Sequence, residues 1–293
     1  MLLTPSLTYA LFGSLREGVP VWSKAQELPG YLTDTFLRLD FGVIGPPTQP
    51  ETVRHAVLSG LPVDLALLAG GLVVGLVAGI ASGLAAGPRR RSAADRAMTV
   101  GSAVLMSAPV YWLAIVGLYT FSPVIGTWAL PFGSAYGGYV PLSQDPLGWL
   151  QSLWMPWLVL GAPLAAMSHR MVRATLADLQ NEDYLRTARA KGLRGRVVQR
   201  RHALPATLPP VLGLLSVNMA LMVTNVALIE PAFNLPGAFR AADVGMFLGE
   251  QAPPIEPQVV QALVVEAAVL IAGFVLVCDL LQARLDPRVA LRG

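Results

Sequence analysis

Apolar residues run along this chain in long windows, and the polar positions gather between them. Five windows hold the roughly 20 apolar residues that a helix needs to cross a bilayer core. They are Leu61 to Ala86, Ala97 to Phe121, Leu150 to Ser168, Leu204 to Ile229 and Gln258 to Cys278. Each is far longer than a barrel strand and none alternates in and out with period two, so the backbone is satisfied by helices. The expected fold class is all-α: a polytopic membrane helix bundle with five full spans.

Ahead of the first window, Leu2 to Ser14 is uncharged but would reach only about 20 Å as a helix. It lacks the basic n-region and small-residue cleavage site of a signal peptide. It reads as a partial first transmembrane helix over 1–14, as a start codon assigned too far downstream would leave. Residues 15–60 then form an extracytoplasmic segment. Residues 61–293 form the transmembrane domain, with a polar loop at 169–203 between its third and fourth windows.

Composition and charge sharpen this picture. Of 293 residues, 54% are hydrophobic and only 13% charged, against roughly 25% charged in a soluble domain. Cytoplasmic loops retain Lys and Arg. Arg89, Arg90, Arg91 and Arg96 follow the first window, nine basic residues lie between Arg170 and Arg201, and Arg284, Arg288 and Arg292 close the chain. Those loops and the C-terminus are assigned to the cytoplasm. The outward segments keep only Arg16, Lys24, Arg38, Arg54 and Arg240. The net charge of +3 thus reports topology, not nucleic-acid binding.

Most chemistry can be excluded. His55, His169, His202 and the single Cys278 do not cluster with zinc-ligand spacing, and there is no H-E-x-x-H. No Ser has Gly at both −2 and +2, which removes the nucleophile elbow. Lys24 and Lys191 are the only lysines, and neither belongs to a G-x-x-x-x-G-K-[ST] phosphate loop.

The loop at 169–203 is patterned instead for contact. Asp183 favours a helix N-terminus, Leu185, Ala188 and Ala190 sustain the helix, and Gly192 supplies a left-handed stop. A second helical piece, Gly195 to His202, is expected to end at Pro205, with Pro209 and Pro210 preparing entry into the next span. Small Ala188 and Ala190 would let a partner's groove approach closely, and Arg186, Arg189 and Lys191 would orient it by charge. A basic loop lying on anionic lipid is the plainer alternative.

These residues resemble the EAA loop of the membrane-spanning subunits of binding-protein-dependent ABC importers, in the dipeptide/oligopeptide/nickel permease group. The similarity rests on Asp183-Tyr184-Leu185-Arg186-Thr187-Ala188-Arg189-Ala190-Lys191-Gly192-Leu193 and the spacing from Gly192 to His202-Ala203-Leu204-Pro205. Arg186-Thr187-Ala188 stands where the name-giving Glu-Ala-Ala would be. Leu39-Asp40-Phe41-Gly42 is similar to an extracellular Gly-Asp-Leu-Gly region without its first Gly. Glu230, Phe233 and Pro236-Gly237 are similar to a Glu-x-x-Phe-x-x-Pro-Gly stretch, and Asp279-Leu280-Leu281 with Leu285-Asp286-Pro287-Arg288 to the group's closing signature.

The resemblance implies a transport subunit, not an enzyme, of the bacterial inner membrane with several spans. It would form half of a path for peptides, nickel or another small solute. Its partners would be a second homologous permease, two ATPase subunits and an extracytoplasmic substrate-binding protein. ATP and Mg would sit on the ATPases and no cofactor on this chain. Asp183, Tyr184, Arg186, Ala188, Arg189, Lys191, Gly192 and Leu193 would form the coupling helix that meets the ATPase. Glu230, Phe233, Pro236 and Gly237 would belong to an outer gate and docking surface.

Four polar positions are weighed on their own. Glu266, mid-span, either lines the path or makes a structural hydrogen bond. Asp64 reads as interfacial, and His169 and Arg170 as side chains snorkelling to lipid phosphate. Gly70, Gly71, Gly75, Gly79 and Gly83 stripe the first window and suggest close helix packing. The alternatives to an importer are a proton-coupled secondary transporter relaying through Glu266 and Asp64, and a non-transporting scaffold. The first is weakened by carboxylates that look isolated and by the lack of an inverted repeat.

Overall fold

A computed structural model of the chain describes Thr33 and residues 40–44, 51–86, 92–121, 138–179, 182–242 and 257–285. The partial helix expected at 1–14, most of 15–50, the Arg89–Arg91 cluster and the closing Asp286-Pro287-Arg288 lie outside the described residues. The fold is an all-α helix bundle. It carries one small ribbon, β1 (Val43–Ile44) antiparallel to β2 (Glu51–Thr52), with Val43 opposite Thr52.

Helix α1 (Val53–Ala86) contains the 61–86 window and starts eight residues earlier, within the segment expected to be extracytoplasmic. Val53 and Val57, both buried, precede that window within the same helix. The exposed Arg54 and His55 between them break the apolar window without breaking the helix. Helices α2 (Ala93–Ser107) and α3 (Val110–Phe121) together occupy the 97–121 window, but they meet at 109°. The window expected as one span is bent at Pro109. Its ring drives Ala108 into an extended conformation (φ −78°, ψ 128°) and removes a helical donor. At the other end of α2, Ser92 Oγ accepts from Asp95 N–H at 3.1 Å and caps the helix.

Helix α4 (Pro146–Leu179) exceeds the 150–168 window at both ends. Asp145 caps it by accepting from Leu147 and Gly148 N–H, each at 3.0 Å, with Pro146 at the first helical position. The short helices α5 (Asp183–Ala190) and α6 (Gly195–Val198) follow. A π-helical turn (Gln199–Ala203) then leads without a break into α7 (Leu204–Phe233). Helix α8 (Pro257–Leu285) extends past the 258–278 window and carries Asp279 on its last turns. Four helices among the described residues are long and apolar enough to cross a membrane, and five if the bent α2–α3 pair counts as one.

The chain forms two compact units, with the unit boundaries falling inside α1, at the end of α7 and inside α8. One comprises Met1–Ala66 and Asn234–Ala272, the other Leu67–Phe233 and Gly273–Gly293. In the smaller unit Val53, Val57, Ala238, Val259, Ala262 and Leu263 form an apolar cluster. Gly60 lets the backbone of Gly237 and Ala238 approach so closely that a side chain at 60 would overlap it. In the larger unit α4 packs against α2, α3 and α7.

The glycine stripe of α1 is the closest packing in the larger unit. A Cβ on Gly75 would lie 2.9 Å from Gly161 O, and one on Gly79 would lie 2.7 Å from Ala165 O. Gly161 answers from α4, where a Cβ would stand 2.7 Å from Gly71 O. Two polar contacts reinforce the larger unit. Arg173 donates to both oxygens of the buried Asp95, at 2.6 and 2.9 Å. Ser82 Oγ donates to Ala78 O at 2.7 Å, so at 3.0 Å it accepts from His169 Nδ1–H. His169 is therefore buried and paired within the protein, not snorkelling, and Arg170 reaches Met106 Sδ at 3.3 Å.

Replacing Gly161 by Val should push α1 and α4 apart and cost ~1–3 kcal/mol. Gly101 on α2 has open space around it, and its change to Ala should be neutral or stabilising by under about 1 kcal/mol. Thermal unfolding of the two purified variants checks both.

Candidate functional site

Helix α5 is eight residues long and two-faced. Leu185 and Ala188, three apart, are buried at 2% and 7% exposure, while Asp183, Tyr184, Arg186, Thr187, Arg189 and Ala190 are exposed. The inner pair packs with Val172 and Leu176 of α4, Val198 of α6, Ala203 of the π turn and Val211 of α7. Leu76, Ile80 and Leu84 of α1 border the same cluster. Gln199 Nε2 donates to Leu84 O and fixes the π turn to the end of α1. The short helix is thus seated on the ends of three membrane-length helices.

Its termini explain why so short a helix forms. Glu182 enters in an extended conformation, and its carbonyl accepts from Leu185 and Arg186 N–H, each at 3.1 Å. Asp183 stands in the first turn and Arg189 in the last, each complementing the helix dipole. At the exit Gly192 takes φ +77°. Gly192 N–H donates to Arg189 O at 3.0 Å and Leu193 N–H to Ala188 O at 3.4 Å. This is a Schellman stop, which a left-handed residue makes possible. A Cβ at Gly192 would meet nothing within 4 Å, so conformation rather than space requires the glycine.

The outward face carries Tyr184, Arg186, Arg189 and Lys191, with Leu193 and Val197 half-exposed beside them. Burial, then the neighbouring Glu182 carboxylate, push the Tyr184 phenol above its ordinary range, which keeps it a neutral donor. The Arg186–Asp183 pair at 4.0 Å is exposed and contributes little. This exposed surface holds one aromatic, two aliphatics and three cations.

Two expectations for this region need correction. Ala188 does not offer a partner close approach, because it faces the chain's own core; Ala190 remains exposed. Pro205 does not end a helical piece. In the π turn Leu204 N–H reaches back to Gln199 O, and this wider turn accommodates the donor that Pro205 lacks. Pro209 and Pro210 then lie inside α7.

The second candidate cluster is largely internal. Glu230 and Phe233, on the last turns of α7, are buried at 0% and 6% exposure, and Gly237 is buried. Only Pro236 presents a surface. The docking role expected of Glu230 and Phe233 therefore has no exposed side chain to act through. Sequence reading missed the residue that shapes this corner: Asn234 stops α7 with φ +53°, and its Oδ1 accepts from Arg240 at 2.6 Å. An Asn immediately after an apolar helix is the signal that could have revealed it.

Glu266, on α8, is buried at 9% exposure. Asp64 is not interfacial: it is fully buried and accepts from Ala238 N–H at 3.3 Å through each oxygen. The two acids that look isolated in the sequence are neighbours. Among the described residues no three His, Cys, Asp or Glu are grouped to hold a metal ion.

Comparison with known proteins agrees with this architecture. Residues 71–291 match the family described as binding-protein-dependent transport system inner membrane component. A protein of Brucella ovis named as a peptide permease is 33% identical over 241 residues, covering 82% of this chain and 72% of that one. The dipeptide transport system permease protein DppB of Lactococcus lactis is 34% identical over 183 residues, covering 61% and 57%. Among solved structures, a chain of the inward-facing MetNI methionine ABC transporter is similar in fold, with TM-score 0.55 at 16% identity, over 83% of this chain and 100% of that one.

Gly192→Val should destabilise the end of α5 by about 1 kcal/mol, whereas Gly192→Asn, which tolerates the left-handed region, should lose less than half of that. Hydrogen exchange at the α5 amides is the measurement. Equal protection in all three proteins would show that the turn does not need its left-handed residue.

Proposed function

The chain belongs to the binding-protein-dependent transport system inner membrane components, and on that premise we propose that α5 is the element through which ATPase subunits drive it. The protein is a permease subunit of an ABC importer, a multi-pass membrane component that is not itself catalytic. Family membership implies ATPase and substrate-binding partners. The finer arrangement is our reading: two ATPases below, one homologous permease alongside, and a binding protein outside. The C-terminus lies in the cytoplasm, and ATP with Mg is bound on the ATPases.

One observation carries the coupling role. Helix α5 is anchored from within by Leu185 and Ala188, while Tyr184, Arg186, Arg189, Lys191 and Leu193 face outward. A partner's groove closing on that outer face would push a helix already seated on α1, α4 and α7. Because α6, the π turn and α7 are continuous, displacement beyond Gly192 passes along the axis of a membrane-length helix. Contact that differs between two states of the ATPase pair converts binding energy into a shift between permease states. Asp183 and Gly192 shape the helix ends rather than touching the partner. We assign Glu230, Phe233, Pro236 and Gly237 to the outer gate, Pro236 being the exposed one of the four. The cargo we propose is peptides, supported by the names of the relatives.

Arg186→Glu with Arg189→Glu should leave folding intact, since both side chains are exposed. It should lower ATPase co-purification about tenfold, or ~1.4 kcal/mol, and ATP-dependent uptake with it. Unchanged assembly and uptake would remove α5 from the coupling path. For the cargo, mass spectrometry of the ligand retained by the cognate binding protein should identify a peptide.

A further inference from the structure

Asp64 and Glu266 belong to the same compact unit but to different helices, Asp64 to α1 just past Pro62 and Glu266 to α8. Both oxygens of Glu266 are buried without a donor to accept from, and the polar group the side chain does meet is the Asp64 carboxyl. Asp64 already receives Ala238 N–H, from the segment that follows α7. The described basic residues of this unit, Arg54, His55 and Arg240, are all exposed.

Two ionised carboxylates touching away from water repel each other, and neither can donate a hydrogen bond. A proton on either one reverses the sign of the contact: it removes one charge and supplies the missing donor. The resulting O–H···O bond to a carboxylate is of the short, charge-assisted kind, about twice as strong as a neutral one. A metal ion is a poorer fit, because among the described residues no third ligating side chain joins the two acids.

We propose that Asp64 and Glu266 share a single proton, and that the pair is a tie joining α1, the turn at Ala238 and α8. The tie holds one negative charge and one proton. The charge is shared between the acid–acid bond and the Ala238 N–H. Its role is to fix the meeting point of three segments that are remote in sequence.

Infrared difference spectroscopy of the assembled transporter in lipid nanodiscs, at neutral pH, tests this. The wild type should show the carbonyl stretch of a buried protonated carboxylic acid, shifting on transfer to deuterated water. Glu266→Gln should lose the band yet retain uptake within about twofold, because the amide N–H replaces the lost donor. Glu266→Leu, which leaves Asp64 without that donor, should lose most of its folded yield. If the Gln variant does not fold, the band in wild type together with labelling of Asp64 or Glu266 by a hydrophobic carbodiimide, which requires a protonated acid, supports the tie. A wild type without the band or the label would overturn it. So would a band that persists in both Glu266→Gln and Asp64→Asn, or one abolished by sodium or potassium, which would make the pair a cation site.

Discussion

Lipid gives an apolar side chain no reason to leave it, so helices in a bilayer hold together through close contact and polar ties. In the larger unit that contact is the glycine seam between α1 and α4. Gly71, Gly75 and Gly161 bring backbone against backbone, and Gly79 and Gly83 continue the seam past Ala165 and Val172. Asp95–Arg173 and Ser82–His169 lie toward the end of the seam nearest α5, where they add directional bonds to contact that is otherwise only steric. The seat of α5 depends on this arrangement. Leu76, Ile80 and Leu84 of α1 border the cluster only because α1 runs so close to α4.

Much of this was legible along the chain, for reasons that particular residues make clear. Long apolar windows announce membrane helices because a stretch too long and too uniform for a barrel strand can satisfy its backbone in lipid only as a helix. Gly192 could be read because a left-handed stop has few other solutions. Helix ends were harder. Val53 to Gly60 looked like an outer segment because Arg54 and His55 interrupt its apolar run, and α4 continued unseen past Ser168 because its outer face turns polar. The bend at Ala108–Pro109 was visible in principle, but an apolar window says nothing about whether its helix is straight.

The site was legible as a surface and not as an interior. The charges at Arg186, Arg189 and Lys191 point to an exposed face, and all three residues are exposed. Which face looks inward depends on packing, and only the fold assigns Ala188 to the core and Ala190 to the outside. Contacts between residues distant in sequence were hidden for the same reason. Asp64 and Glu266 are about two hundred positions apart, and a single chain gives no sign that their carboxyls meet.

The π turn at Gln199–Ala203 has a geometric consequence for the whole of α7. An α-helix turns about 100° per residue, so the extra residue held in a wide turn rotates every later side chain by roughly that angle. Val211, Leu215, Met219, Val226 and Ile229 are buried in a phase set at the turn. Tightening it by one residue would swing that row toward lipid and bring a different row inward. Five residues beside the α5 seat therefore act as the angular reference for a 30-residue helix, joining the orientation of its buried side to the place where an external push would arrive.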